Sequence, residues 1–372
     1  MTAQGLLIYY LTKSTVFLGY AGFAYGVPVW LFTLYGGVIA DKIPKRSLLL
    51  ITQTIMMILA FVLGTLAITG IVQPWHILIL SFLLGTANAF DAPARISFVC
   101  DLVEKEDLAN AVAMNTSMVH LASTIGPLAA AFIYAKLGSA YVFFINGFSF
   151  LAVIIALLTM QLKKAEPMIA NGSGLQSIKE GLLTVFHHDT LLSLMGIAAV
   201  TSLFGISYSV LYPAWAEEVL HGGAIANGYL LAARGAGSLI AALYIASLGR
   251  FNFKGKLLTI GMMGFPIVSL LFPITKWLPL SILFSLIGGL FLIMATSLNN
   301  TLCMTMSEPR LRGRIMSVYS LAFFGFMPIG SLWIGWLGKM VGLAPALLIT
   351  ASLYLIFVLI IYIRYPRIRM LE

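Results

Sequence analysis

Ionisable side chains are scarce in this chain, so those embedded in apolar runs are where chemistry has to be sought. Asp91 and Arg95 stand four residues apart around Pro93, a spacing that sets a carboxylate and a guanidinium on one helical face. Such a pair is either a structural bridge at a helix end or part of a gate that moving helices make and break. Thr116, His120, Ser123 and Pro127 recur on roughly one face of a later run, with Asn115 beside them. A polar stripe in an apolar helix faces protein or water rather than lipid. The imidazole there is either a proton carrier, with an ordinary pKa of about 6.5, or a neutral hydrogen-bonding wall of a cavity. Arg234 is the one base deep within a run, where it needs an acidic partner, a substrate or a wet cavity. Asn88, Asn146, Asn299 and Asn300 supply further amides for a cavity or for interhelical bonds.

No reaction centre competes with this pattern. HHD at 187–189 is a weak metal motif, and HExxH, GxSxG and GxxxxGK[ST] are all absent from the sequence, so neither an enzyme nor a bound metal or cofactor is expected. Without a nucleotide-binding loop, any transport would be driven by an ion gradient.

The elements that hold these residues follow from composition. The chain has 372 residues, 60% hydrophobic and 9% charged, against roughly a quarter charged in soluble proteins. Apolar runs recur along the whole length at 15–40, 47–70, 75–97, 108–136, 140–162, 190–213, 225–248, 257–275, 278–300, 314–338 and 343–363. Each is long enough to cross a hydrocarbon core about 30 Å thick. The fold class expected is all-α, a polytopic helical membrane protein. The first residues, MTAQGLLIYYLTK, carry neither a basic signal-peptide start nor a cleavage site, and their apolar part covers only about half a crossing.

Orientation follows from the basic residues. Placing residue 41 in the cytoplasm puts seventeen of the 22 Lys and Arg inside, and leaves only Lys13, Lys136, Lys276 and Lys339 outside. These bases form no stripe with interleaved aromatics, so nucleic acid is not a partner. Glu217 and Glu218 fall outside, where acids are usually just solvated. Cys100 and Cys303 lie near the ends of runs on the inner side and suggest no disulfide.

A polar connection divides the chain into an amino-terminal bundle at 1–162, a cytoplasmic linker at 163–189 and a carboxy-terminal bundle at 190–372. In the linker, Ile178, Leu182, Leu183 and Phe186 make an apolar face that fits the membrane surface. Sliding the chain by 204 residues pairs Glu104 with Glu308, Gly126 with Gly330, Gly138 with Gly342 and Ala140 with Ala344. That weak internal repeat fits parallel halves, a transporter architecture.

GGVIADKIPKR, residues 36–46, concentrates charge between two apolar runs. It resembles the signature loop between the second and third spans of the major facilitator superfamily. Gly37, Asp41, Lys42, Lys45 and Arg46 occupy the matching positions, and Pro44 replaces a glycine. FDAPARISFVCDLVEKEDLANAVAMN at 90–115 is similar to the exporter branch that holds macrolide efflux pumps and the enterobactin exporter. Asp91, Pro93 and Arg95 form its Asp-x-Pro-x-Arg element. STIGPLAAAF at 123–132 resembles the Gly-Pro element of antiporting members, with Gly126 and Pro127 bending the span and holding it near its mirror, Pro328 and Gly330. EPRLRGRIMSV at 308–318 resembles the loop before the eleventh span.

The resemblance implies a major facilitator fold of two six-helix bundles with the first helix truncated. It implies a monomeric multi-pass protein of a bacterial or archaeal plasma membrane, in contact with the lipid bilayer. The function implied is export of small amphipathic or hydrophobic molecules by alternating access, in exchange for protons. Gly37, Asp41, Lys42, Lys45, Arg46, Asp91 and Arg95 would form the cytoplasmic gate. Asn88, Asn115, Thr116, His120, Asn146 and Arg234 would serve the cavity or the proton path. Against the family pattern most of the first span is missing, which leaves as alternatives a start upstream of Met1 or a shortened, non-transporting protein that is an assembly partner or an inactive fragment.

Overall fold

A computed structural model describes residues 2–104, 106–160, 180, 182–249, 251–308 and 311–371. The side chains of Leu34, Gly37, Val38, Ala40, Asp41, Lys42, Cys100, Ala109, Val112, Ala113, Arg367 and Met370 lie outside the description. The short helix α1 (Thr2–Thr12) is followed by α2 (Thr15–Lys42), α3 (Lys45–Ile68), α4 (Pro74–Leu102), α5 (Leu108–Leu137) and α6 (Ser139–Thr159). After the linker come α7 (Asp189–Glu218), α8 (Gly223–Ser247), α9 (Lys254–Leu271), α10 (Leu278–Met306), α11 (Arg312–Val341) and α12 (Leu343–Arg364). Among the described residues, eleven helices are long and apolar enough to cross a membrane, matching the runs expected; α1 is too short. Successive connections alternate between a basic end, which holds residues 42–45, and the opposite end, which holds residues 12–15.

Helix α3 shows why the sequence packs as it does. Ile51, Ile55, Ile58 and Val62 recur at helical spacing and are all more than two-fifths exposed, whereas Leu48, Thr52, Met56 and Leu63 are buried. The polar residue is on the inner face and the aliphatic stripe on the outer one, the reverse of a soluble helix and the arrangement lipid demands.

The helices pack as two groups. Within α1–α6, α2 lies on α4 and α3 on both α4 and α6; within α7–α12, α8 and α9 lie on α10 and α9 on α12. Two seams join the groups, α2 with α11 and α5 with α8. The repeat is visible in the backbone. Gly138 (φ +94°) joins α5 to α6 and Gly342 (φ +89°) joins α11 to α12 at the equivalent place. Both hold the left-handed region that a Cβ would strain, so glycine recurs at the two tight reversals.

One local expectation needs correction. Lys45 and Arg46 are already in the first turn of α3, because Pro44 takes the cap position and starts the helix early. Helix α4 continues through Pro93. In the linker, Lys163, Lys164, Ile178 and Lys179 lie outside the described residues, as do Lys105, Arg250 and Arg310. Residues 182–186 are helical, with Leu182, Leu183 and Phe186 exposed and Val185 buried against the core.

Candidate transport cavity and its gates

Small residues bring the two groups into backbone contact at both seams. On α2 and α11, a Cβ added to Gly335 would lie 2.8 Å from Gly19 Cα, and one added to Gly22 would lie 2.7 Å from the Ser331 side chain. The Thr15 hydroxyl donates to the Gly335 carbonyl at 2.9 Å and closes the outer part of the same seam. On α5 and α8, a Cβ at Gly235 would lie 2.5 Å from the Ser123 carbonyl oxygen. Helices meet this closely only where side chains are absent.

Between the seams lies a cavity of about 260 Å³ with walls from α1, α2, α4, α7, α8 and α11. Its polar lining includes Gln4, Tyr25, Ser81, Ser207, Asn227 and Ser331. Asn227 is fully buried, and neither its amide nitrogen nor its amide oxygen meets a protein partner; the Gln4 side-chain oxygen, also buried, has none either. Helix α7 shapes the opposite wall. At residues 201–206 its backbone widens to a π-helix, then tightens to a 3₁₀ turn at 207–211. The change of winding brings Ile206, Ser207, Ser209 and Val210 together along the cavity.

The opposite end of the molecule is shut by a ladder across the two groups. Tyr9 donates to the Glu218 carboxylate, and Tyr10 donates to Glu217 at 2.9 Å. The Lys13 ammonium pairs with the other Glu217 oxygen at 3.1 Å and sits 4.8 Å from the centre of the Tyr10 ring. Tyr10 in turn stacks on Tyr134 of α5, with ring centroids 5.9 Å apart. Glu217 and Glu218 are therefore partners of α1, not merely solvated acids. No sequence spacing announces this contact, because its members are more than two hundred positions apart.

At the basic end the ion pairs among the described residues stay within a group or reach the linker. Lys45 pairs with Asp101 of α4 at 2.7 Å, and Arg46 donates to the Leu158 carbonyl of α6 at 2.6 Å. Arg314 pairs with Glu180. Asp91 is 3% exposed and accepts from Thr52 at 2.9 Å and from the Gln53 amide at 2.8 Å. Arg95 is on the same face as expected, but at 3.8 Å and mostly exposed it is the weaker partner. Gly36 packs on the Ala89 carbonyl and fixes the end of α2 against α4. The side chains of Gly37, Asp41 and Lys42 lie outside the described residues.

The remaining candidates separate. Asn88 donates to the Tyr25 hydroxyl at 2.8 Å and so orients a residue of the cavity wall. Asn115, Thr116 and His120 lie on the basic-end half of α5, away from the cavity, and line none of it. Asn146 is exposed on α6, whose buried face, including Phe143 and Gly147, turns to α3 instead. Arg234 lines a separate void of about 10 Å³ inside the second group with Tyr212, Phe265 and Ser269, and among the described residues no carboxylate forms an ion pair with it. Pro127 packs against Gly228 of α8, and Pro328 against Gly26 of α2, so each of the two mirrored elements lies in its own seam. Gly126 has no neighbour within 4 Å of an added Cβ. Asn299 donates to the Leu194 carbonyl at 2.9 Å, an interhelical tie. Gln4 and Asn227 were missed because neither stands out in its run; only the fold shows their amides left open.

A family model described as "Transmembrane secretion effector" matches residues 3–371. The staphyloferrin A transporter of Staphylococcus aureus is 24% identical over 86% of this chain and 80% of its own length. The multidrug efflux pump Tap of Mycolicibacterium fortuitum is 22% identical over 93% and 86%. Macrolide efflux protein A of Streptococcus pyogenes is 21% identical over 88% and 82%. Among solved structures, a bacterial homologue of the human lysosomal transporter Spinster superposes with a TM-score of 0.74 at 15% identity, covering 99% of this chain and 94% of the other. The nucleoside transporter NupG does so with a TM-score of 0.72 at 13% identity, over 98% and 95%.

Proposed function

The chain belongs to the transmembrane secretion effector family of the major facilitator superfamily, and on that premise we propose that it exports small amphipathic or apolar molecules by alternating access, in exchange for protons. One observation carries the reading. A cavity between two helix groups is sealed at one end by the ladder from Tyr9, Tyr10 and Lys13 to Glu217 and Glu218, while none of the ion pairs among the described residues at the basic end joins the groups. We read this as a carrier open to one side only. The positive-inside rule assigns the basic end to the cytoplasm, so the cavity receives its cargo from the cell.

Release outward requires the ladder to break and the basic end to close. Gly37, Asp41 and Lys42 on α2, with Arg95 on α4, are the proposed parts of that inner gate. Lys45, Arg46 and Asp91 hold α3, α4 and α6 as one body so that the gate moves as a unit. The relatives that pump macrolides, other drugs or a siderophore support export of compact organic molecules. The test is efflux of a fluorescent hydrophobic dye from energised cells, with and without a protonophore. Protonophore-sensitive efflux is the expected result. Silence with the protein present in the membrane would favour the assembly-partner reading instead.

A further inference from the structure

We infer that the cavity selects uncharged molecules carrying hydroxyl, carbonyl or amide groups, and rejects both organic cations and organic anions; this rests on the export reading and narrows its cargo. Among the described residues that line the cavity, none is Asp, Glu, Lys or Arg. An ion entering it would leave water without meeting a counter-charge, at a cost of several kcal/mol. Arg234 does not supply one to an anion, because its own void shares no lining residue with the cavity.

The polar groups that do face the cavity differ in what they have left to offer. The hydroxyls of Ser207, Ser209 and Ser331 already donate to the carbonyls of Leu203, Ile206 and Met327 on their own helices. Asn227 has spent nothing, since its donor and its acceptor are both buried and unpaired, and the Gln4 oxygen adds a second open acceptor. An amide with both functions free matches a group that offers both in return, such as a hydroxyl or a carboxamide. A ligand that lacks such groups leaves both functions of Asn227 unpaired. Apart from Thr2, Tyr25 and Ser81, the rest of the wall, including Leu18, Ala21 and Val210, is apolar and favours an amphiphile over a sugar.

The experiment compares three probes of similar bulk on the purified full chain in lipid nanodiscs: hydrocortisone, tetraphenylphosphonium and tetraphenylborate. Hydrocortisone should bind at least about tenfold more tightly than either ion. Asn227→Leu should lose about tenfold or more of steroid affinity. Asn227→Asp, which keeps shape and adds a charge, should move the preference toward tetraphenylphosphonium by a similar factor. Either ion bound within about threefold of the steroid, or undiminished steroid binding by Asn227→Leu, overturns the inference. Gradient-driven uptake into inverted vesicles is measured in parallel. Selective binding of the steroid without its transport would sustain the cavity's chemistry and overturn the export reading, so the two fail separately.

Discussion

Replacing Glu217 by Gln tests whether the ladder at the end opposite the bases holds the molecule shut. The carboxylate is 29% exposed; it accepts from Tyr10 at 2.9 Å and pairs with Lys13 at 3.1 Å, whose own side chain is 56% exposed. An ion pair this open to solvent contributes about 0.2–1 kcal/mol. The phenol bond survives in Glu217→Gln as a neutral one and loses about 1 kcal/mol of its charge assistance. Together the shut state loses about 1–2 kcal/mol, which raises the population open at that end by a factor of about 5–30. A cysteine placed at Val210, on the cavity wall, reports this population through its rate of reaction with a membrane-impermeant maleimide added on the Lys13 side, in a background lacking Cys100 and Cys303. The rate should rise by that factor in Glu217→Gln, by a similar or larger one in Tyr10→Phe, which deletes the charge-assisted bond altogether, and not at all in Lys339→Met. A rate within about twofold of the parent in Glu217→Gln, with the protein folded, would refute the ladder as a gate.

Other consequences can be checked more simply. Asp91→Ala leaves Thr52 and Gln53 facing a void and should cost about 2–4 kcal/mol, seen as a lower unfolding temperature in detergent, whereas Arg95→Ala should cost less than about 1 kcal/mol; the reverse order would contradict the bonding described. Gly235→Leu should abolish transport without preventing membrane insertion, because its side chain would enter the α5 backbone, while Gly126→Leu, which meets nothing within 4 Å, should transport normally. Equal behaviour of the two variants would show that the α5–α8 seam does not require close approach. Asp41→Asn should cripple efflux while leaving the protein in the membrane, and normal efflux would remove Asp41 from the inner gate.

What was legible in the sequence follows the range over which each signal acts. Lipid imposes its demand locally, residue by residue, so the eleven crossings could be read from hydropathy alone. The pairing of Gly138 with Gly342 was legible for a similar reason: one backbone angle admits almost only glycine, and both halves use it. The seams were half legible, since Gly-Pro at 126–127 marked α5 as special but could not name Gly228 as the surface that Pro127 meets. Contacts between distant positions left no trace. Glu217 looks like any solvated acid until Tyr10 and Lys13 are folded against it, and Asn227 looks like any helix amide until its partners prove absent. The π-turn at 201–206 was equally hidden, because a change of winding moves every later side chain around the axis without altering the apolar pattern. That His120 and Asn146 line no part of this cavity was hidden for a complementary reason: the type of a polar residue does not show which neighbour it faces.

The contact of Gly19 with Gly335 has an electrical consequence. Where two helix backbones touch, there are no side chains to rearrange, so the helices part or roll as rigid rods. Rods in contact along part of their length cannot be splayed at both ends at once. The two exits of the cavity are then mutually exclusive, and no continuous aqueous path crosses the protein at any point in its cycle. A bilayer crowded with this protein should carry no ohmic current at fixed voltage, and an imposed ion gradient should not drain through it in the absence of cargo.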